Sequence, residues 1–237
     1  MFPGPSVPIA LEVIVTSVSD ALAAEAGGAA RIELVRDLGH GGLTPDVSLV
    51  DAVLDAVRLP VRVMVRETES HSIGDPDVRA HLVAQARAIG QRPVDGVVFG
   101  AVTGGDIDRP LLDRIADASG RSITFHRAFE ALADPGAAIG LLAAHPAVDL
   151  VLCDGGPGDW ATRSARIAAW TRLAHGALRV MPGGGLTAEA IAALAAVPVI
   201  QDLHVGRLVR EPEVVDGEVS AARVAALVRR LADIRFR

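Results

Sequence analysis

Short runs of β-branched and other apolar residues recur along the whole chain: ALEVIV (10 to 15), RIELV (31 to 35), VRVMVR (61 to 66), DGVVFG (95 to 100), SITFH (122 to 126), VDLVLC (148 to 153), LRVMP (178 to 182) and QDLHVG (201 to 206). Each reads as a strand. Between them lie Ala/Leu-rich stretches with apolar residues at helical spacing, such as Val47, Val50, Val53, Leu54 and Val57, or Ile191, Leu194 and Ala195. Helix starts are signalled by Thr44-Pro45, Asp75-Pro76 and Asp134-Pro135, and by Thr187 with an acidic residue soon after.

A strand followed by a helix, eight times over in 237 residues, predicts a single-domain α/β protein with the (β/α)8 TIM-barrel architecture. The rival is a doubly wound open sheet, which would carry a Gly-rich turn after its first strand; here Val15-Thr16-Ser17 stands there. No low-complexity linker divides the chain, so residues 9–237 are expected to form the domain, with 1–8 as a flexible N-terminal tail.

Alternation along the strands then assigns faces, because the helix-facing set must be apolar. Leu11, Val13 and Val15 face the helices and Glu12 the lumen; Ile32 and Leu34 face out and Glu33 in. Val61, Val63 and Val65 face out, leaving Arg62, Met64 and Arg66 inside. Ile123 and Phe125 oppose Thr124 and His126, and Leu203 and Val205 oppose Asp202 and His204. The lumen therefore gathers Glu12, Glu33, Arg66, Thr124, His126 and His204, a costly set to bury unless its members pair. Either the set is an ionic network that fixes the barrel, or it is a site at the C-terminal mouth, where barrels place their chemistry. On the second reading Glu12, Glu33, Arg66, His126, Arg127 and His204 are the candidate catalytic residues. His126 would transfer protons and Arg66 or Arg127 would bind an anionic group. Glu12 and Glu33 either hold Arg66 in place or work as an acid/base pair. His40, His71, His81, His145 and His175 are expected at the surface.

Two glycine-rich segments follow late strands, Asp154-Gly155-Gly156-Pro157-Gly158 and Pro182-Gly183-Gly184-Gly185. Gly183, Gly184 and Gly185, with Arg207 opposite, form either an anion cradle or a tight turn. Gly41 to Pro45 is a turn and helix start, or a loop closing over the mouth.

Charge and composition narrow the partners. The net charge is −6 with arginines scattered, which excludes a nucleic-acid or anionic-membrane surface and favours a small anionic molecule. A single cysteine, Cys153, excludes a disulfide framework and suits a reducing, cytoplasmic compartment. No signal segment or membrane span is read from the sequence.

Taken in order, LEVIVTS (11 to 17), GAARIELV (28 to 35), GGLTP (41 to 45), ITFHRAFE (123 to 130), VLCDGG (151 to 156) and VMPGGGLT (180 to 187) resemble the CutC family of copper homeostasis proteins. The resemblance implies a cytoplasmic (β/α)8 barrel that forms homo-oligomers and is linked to copper, and it matches Glu12, Glu33, Arg66, His126, Arg127 and His204 to the family's strand-end polar set. It makes copper the one cofactor to consider, with no ligand set identified. Where family members often carry cysteine near the ends of strands one and two, Ile14 and Val35 stand here, which disfavours soft Cu(I). The only sulfur atoms are those of Met1, Met64, Cys153 and Met181, with Cys153 and Met181 expected as neighbours near the rim.

Overall fold

A computed structural model of the chain describes residues 9–195, 197 and 199–235. The expected N-terminal tail lies outside these. Eight parallel strands, β1 (Ala10–Val15), β2 (Arg31–Leu34), β3 (Val61–Met64), β4 (Gly96–Phe99), β5 (Ser122–Phe125), β6 (Val148–Cys153), β7 (Arg179–Pro182) and β8 (Asp202–Val205), follow the expected runs. They alternate with α1 (Val18–Ala26), α2 (Val47–Ala56), α3 (Pro76–Gly90), α4 (Arg109–Ser119), α5 (Pro135–Ala143), α6 (Trp160–Leu173), α7 (Ala188–Ala195) and α8 (Ala221–Arg235).

The strands pair in the order β8-β1-β2-β3-β4-β5-β6-β7, each parallel to the next, which is the barrel and not the open sheet. No ladder pairing joins β7 to β8 among the described residues. Side chains close that seam: Arg179 of β7 donates at 3.2 Å to the Asp202 carboxylate of β8.

The helix-facing residues of the strands meet the apolar faces of the helices in one continuous core, where Val13, Val15, Ile32, Leu34, Val63, Val97, Ile123 and Leu203 are fully buried. Each such side chain contributes about 1.5 to 3 kcal/mol relative to exposure. Helix starts are fixed by side-chain caps. The Asp75 carboxylate accepts from Asp77 N and the Asp134 carboxylate from Ala137 N, with proline in the first turn, and Thr187 Oγ1 accepts from Ala190 N. α2 departs from expectation: it begins after Asp46, not at Thr44-Pro45. Thr44 is buried and bonds across to the end of β3, its N–H donating to Arg66 O at 2.8 Å while its Oγ1 accepts from Arg66 N at 2.8 Å. This bond ties the Gly41 to Pro45 loop to the mouth.

Candidate functional site

The inward residues divide into a closed floor and an open mouth. At the floor, Arg62 donates two bonds to Asp149 (2.7 and 2.6 Å), one to Thr124 Oγ1 (2.8 Å) and one to Asp95 (2.9 Å). Arg31 bonds Glu12 and reaches Asp202 at 3.3 Å. These groups lie near the starts of their strands and satisfy one another, so for the lower lumen the ionic-network reading holds. Arg31 was foreshadowed by parity, since it stands two residues before Glu33 on the inward face.

Above the floor, His204 Nδ1 lies 2.8 Å from Glu12 Oε1, and its Nε2 lies 3.6 Å from Glu33 Oε2. Burial pushes the Glu12 carboxyl up, but the His204 hydrogen bond and the Arg31 charge outweigh it and hold Glu12 at about 2. Burial acts on Glu33 with less compensation, and the proximity of Glu12 adds to it; despite His204, Arg31 and Arg127, the carboxyl is pushed up to about 7. Burial lowers His204, yet the Glu33 charge and the Glu12 hydrogen bond and charge prevail and raise it, which favours the imidazolium. The expectation that Glu12 and Glu33 hold Arg66 in place is not met. Glu12 holds Arg31 and His204, and Glu33 Oε1 is buried without a hydrogen-bond partner among the described residues.

A cavity of about 410 Å³ opens at the C-terminal mouth. Its walls include Glu33, Arg66, His126, Arg127, Gly184, Gly185, His204 and Arg207. Of the residues picked from the sequence, Glu12 lies beneath it and Gly183 is held in the strand ladder by its N–H to Cys153 O. Arg66 is aimed by three backbone carbonyls, those of Gly41 (3.0 Å), Thr68 (2.8 Å) and Glu69 (2.8 Å). No carboxylate forms an ion pair with it among the described residues, and burial followed by the Arg127 charge lowers its pKa against the opposing charges of Glu69 and Glu33.

His126 caps a short helical turn, its Nδ1 accepting from Ala128 N at 3.3 Å. The ring fits because residue 100 is glycine: a Cβ there would stand 2.6 Å from His126 Nδ1. Burial, His71 and the two arginines push its pKa well below the usual range, so His126 is neutral. A neutral ring whose Nδ1 already accepts a hydrogen bond is a weak base at neutral pH, which does not favour the proton-carrying role expected of it. His71 departs from expectation. It lines the cavity with its ring 5.1 Å from that of His126, whereas His40, His81 and His175 are exposed as expected and His145 is half-buried against Asp113. Nothing in a loop sequence of RETESHSIGD marks that one histidine as inward.

The two glycine-rich loops separate clearly. After β6, the amides of Asp154 and Gly155 are occupied by the Glu130 carboxylate at 2.9 to 3.2 Å. After β7, the amides of Gly184 and Gly185 make no hydrogen bond among the described residues. Both residues have positive φ, 76° and 77°, and a Cβ on Gly184 would lie 2.8 Å from Asp154 Cβ, so glycine is required for conformation and for space. Arg207 is exposed, with its guanidinium 3.7 Å from the position of a Cβ on Gly185 and without a partner among the described residues. Arg127 is half-exposed and bonds Asp154 at 2.9 Å.

The described sulfur atoms, those of Met64, Cys153 and Met181, do not converge, and Met1 lies outside the described residues. Cys153 packs in the helix-facing core, while Met181 lies inside the barrel with Leu150 and Leu152, so the expected neighbours stand on opposite faces of the sheet. Ile14 and Val35 pack with Met64 and Val98 in an apolar layer.

The chain matches the CutC family model over residues 9–208. It is 35% identical over 187 residues to a family protein CutC of Xylella fastidiosa (strain 9a5c), covering 78% of this chain and 70% of that one. To the copper homeostasis protein cutC homolog of Mus musculus it is 38% identical over 180 residues, 75% of this chain but 65% of the mouse protein. The crystal structure of CutC from Streptococcus agalactiae superposes with a TM-score of 0.76 at 22% identity, covering 84% of this chain and 98% of that one. A structure described as PhdJ bound to substrate intermediate shares the fold at a TM-score of 0.63 and 16% identity, over 98% of this chain and 75% of that one.

Proposed function

The chain belongs to the CutC family, and we propose that it serves copper homeostasis in the cytoplasm by binding a small anionic ligand in the barrel mouth, not by carrying Cu(I) on its own sulfur atoms. The observation that carries this reading is the wall of the cavity. Arg66, Arg127 and Arg207 line it together with the unpaired amides of Gly184 and Gly185, against the carboxyls of Glu213 and a Glu33 that keeps its proton up to about 7. Free amides at positive-φ glycines beside a guanidinium are a common cradle for carboxylate or phosphate oxygens.

A fit to copper is not found. Soft Cu(I) selects thiolate and thioether donors, and the Cys153 thiol faces the helices, where burial followed by Glu130 and Asp154 pushes its pKa well up. Glu12, Glu33 and His204 lie close together, but Glu12 is engaged by Arg31 and His204, and their oxygen and nitrogen donors suit harder ions. No described helix is long and apolar enough to cross a membrane. Self-association belongs to the same reading and is measured by sedimentation.

The test is calorimetric titration with inorganic phosphate, sulfate and small carboxylates, alongside thermal unfolding. A ligand at a hundred times its Kd raises the unfolding free energy by about 2.7 kcal/mol. Binding that weakens in Arg207→Ala supports the reading; no binding by any anion overturns it.

A further inference from the structure

Glu33 is explained neither by stability nor by anion binding. It is 1% exposed, it lines the cavity, and its Oε1 has no hydrogen-bond partner among the described residues while Oε2 faces His204 Nε2 at 3.6 Å. Leaving a buried acceptor unpaired is destabilising, and a chain that needed only an anion pocket gains nothing from a carboxyl there. We infer that Glu33 is the acid/base of a cofactor-independent proton transfer on a small carbonyl compound bearing a carboxylate or phosphate. The anionic group lies on Arg207 and the amides of Gly184 and Gly185, and the reacting carbon faces Glu33. The inference rests on the anion reading above and adds the reaction to it.

Competing groups are weighed in turn. His126 and His71 are both lowered, by burial first, so both rings are neutral, and His126 Nδ1 is taken by the Ala128 amide. Burial pushes Glu130 up to about 7 as well, but it does not line this cavity and its oxygens accept from the amides of Asp154 and Gly155, while Cys153 faces the helices. The sequence contains no lysine, so no side-chain Schiff base can form. His204 remains beside Glu33: Glu12 accepts from Nδ1, which directs the second proton of the imidazolium, on Nε2, toward Glu33 and the cavity. A carboxyl near 7 next to an imidazolium suits proton exchange at neutral pH.

In the reacting ionic form, the Glu33 carboxylate removes a proton from the carbon next to the carbonyl. The C–H electron pair becomes a C=C bond, and the carbonyl π pair moves to its oxygen, which takes the Nε2 proton of His204. Neutral Glu33, neutral His204 and an enol result, and the reverse step, after Glu33 has exchanged its proton with solvent, restores the carbonyl compound and both charges. Nothing is oxidised or reduced.

The experiment incubates the full chain in D2O with pyruvate, 2-oxoglutarate, dihydroxyacetone phosphate and ribulose 5-phosphate. Loss of the C–H signal is followed by NMR, and binding of each compound by thermal shift. The expected result is exchange above the protein-free rate for at least one compound, slowed at least about 100-fold in Glu33→Gln, whose thermal shift by that compound is kept. Glu33→Asp, which moves the carboxyl back by one methylene, should retain partial exchange. The rate should rise as Glu33 ionises near 7 and fall again as His204 loses its proton; Glu12, Arg31, Arg66 and Arg127 are the other charges facing the pair. Unchanged exchange in Glu33→Gln overturns the assignment. Compounds that bind with no exchange overturn it while the anion reading stands, and compounds that neither bind nor exchange remove both.

Discussion

His204 and Glu12 share a 2.8 Å hydrogen bond across the strand register, in which β1 and β8 place them directly side by side. The same imidazole turns its other nitrogen toward Glu33 on β2. One ring thus separates two carboxyls that are equally buried and yet are driven apart, to about 2 and about 7. The difference is the direct hydrogen bond from His204 to Glu12, joined by the charge and hydrogen bond of Arg31, while Glu33 has only the more distant His204 contact and no bond to Arg31.

Replacing Glu12 by glutamine should therefore be a stability mutation. It leaves Arg31 with Asp202 alone at 3.3 Å and removes the closest charge from His204. Breaking one member of a buried ion pair costs about 3 to 5 kcal/mol, so urea unfolding of Glu12→Gln should show a loss near the lower end of that span, since the amide retains a hydrogen bond. A loss below about 0.5 kcal/mol would mean that the floor network does not need Glu12.

Glu33 predicts the opposite behaviour with pH. A carboxyl whose folded pKa is raised from 4.5 to about 7 binds its proton more tightly in the folded state, so its presence weakens the fold progressively as pH rises from about 4.5 to about 7. The full difference corresponds to at most about 3 kcal/mol. His204 acts in the same direction, because its raised pKa gives stability that is present below 6.5 and lost as pH rises through the folded value. His126, lowered, works against both as pH rises toward 6.5. The comparison of Glu33→Gln with the parent isolates one contribution: the variant should gain on the parent between pH 5 and pH 8 by 1 kcal/mol or more, on the order of the bound above. Parallel stability curves for the two proteins over that range would show that Glu33 titrates normally.

Strand parity explains why so much of this was legible. Glu12, Glu33, Arg62, Thr124, Asp202 and His204 face inward because Leu11, Ile32, Val63, Ile123 and Leu203 must face the helices, a constraint that needs no knowledge of contacts. Parity cannot rank depth or pairing. It grouped Glu12 with the mouth although Glu12 is sealed under His204, and strand-end position, which suggested Cys153 and Met181 as rim neighbours, does not tell that Cys153 faces the helices while Met181 lies inside the barrel. Loop residues have no such period. His71 reaches the cavity through the path of the segment after β3, where the His71 carbonyl accepts from Val102 N at 2.9 Å, and only coordinates reveal that.

For the anion cradle, Arg207→Ala should lower phosphate affinity by about tenfold, equivalent to about 1.4 kcal/mol, with unfolding changed by less than about 0.5 kcal/mol, because Arg207 is exposed and unpaired among the described residues. Gly184→Ala should behave differently. Its Cβ would meet Asp154 Cβ at 2.8 Å in a backbone conformation with φ of 76°, so it should lose both phosphate binding and about 1 to 3 kcal/mol of stability. Calorimetry on the two variants separates these outcomes; equal binding in all three proteins would rule out the loop after β7 as the cradle.

Copper gives the sharpest test of how the family's name applies to this member. A tight Cu(I) site gathers two or more sulfur donors at one point, and the described sulfurs are dispersed by the fold itself. Cys153 is fully buried on the helix side of β6, Met181 is buried inside the barrel with its sulfur 3.3 Å from the Arg31 guanidinium, and Met64 sits in the apolar layer of Ile14, Val35 and Val98. Bringing Cys153 to Met181 would require one of them to cross the sheet. The expected outcome of competition against a strong Cu(I) chelator under reducing conditions is that less than a stoichiometric amount stays with the protein, and that Cys153→Ser changes nothing. Retention of one copper per chain, abolished by that substitution, would require Cys153 to leave the helix-facing core, and the copper role would then have to be assigned to the chain's own sulfur and not to the ligand in its mouth.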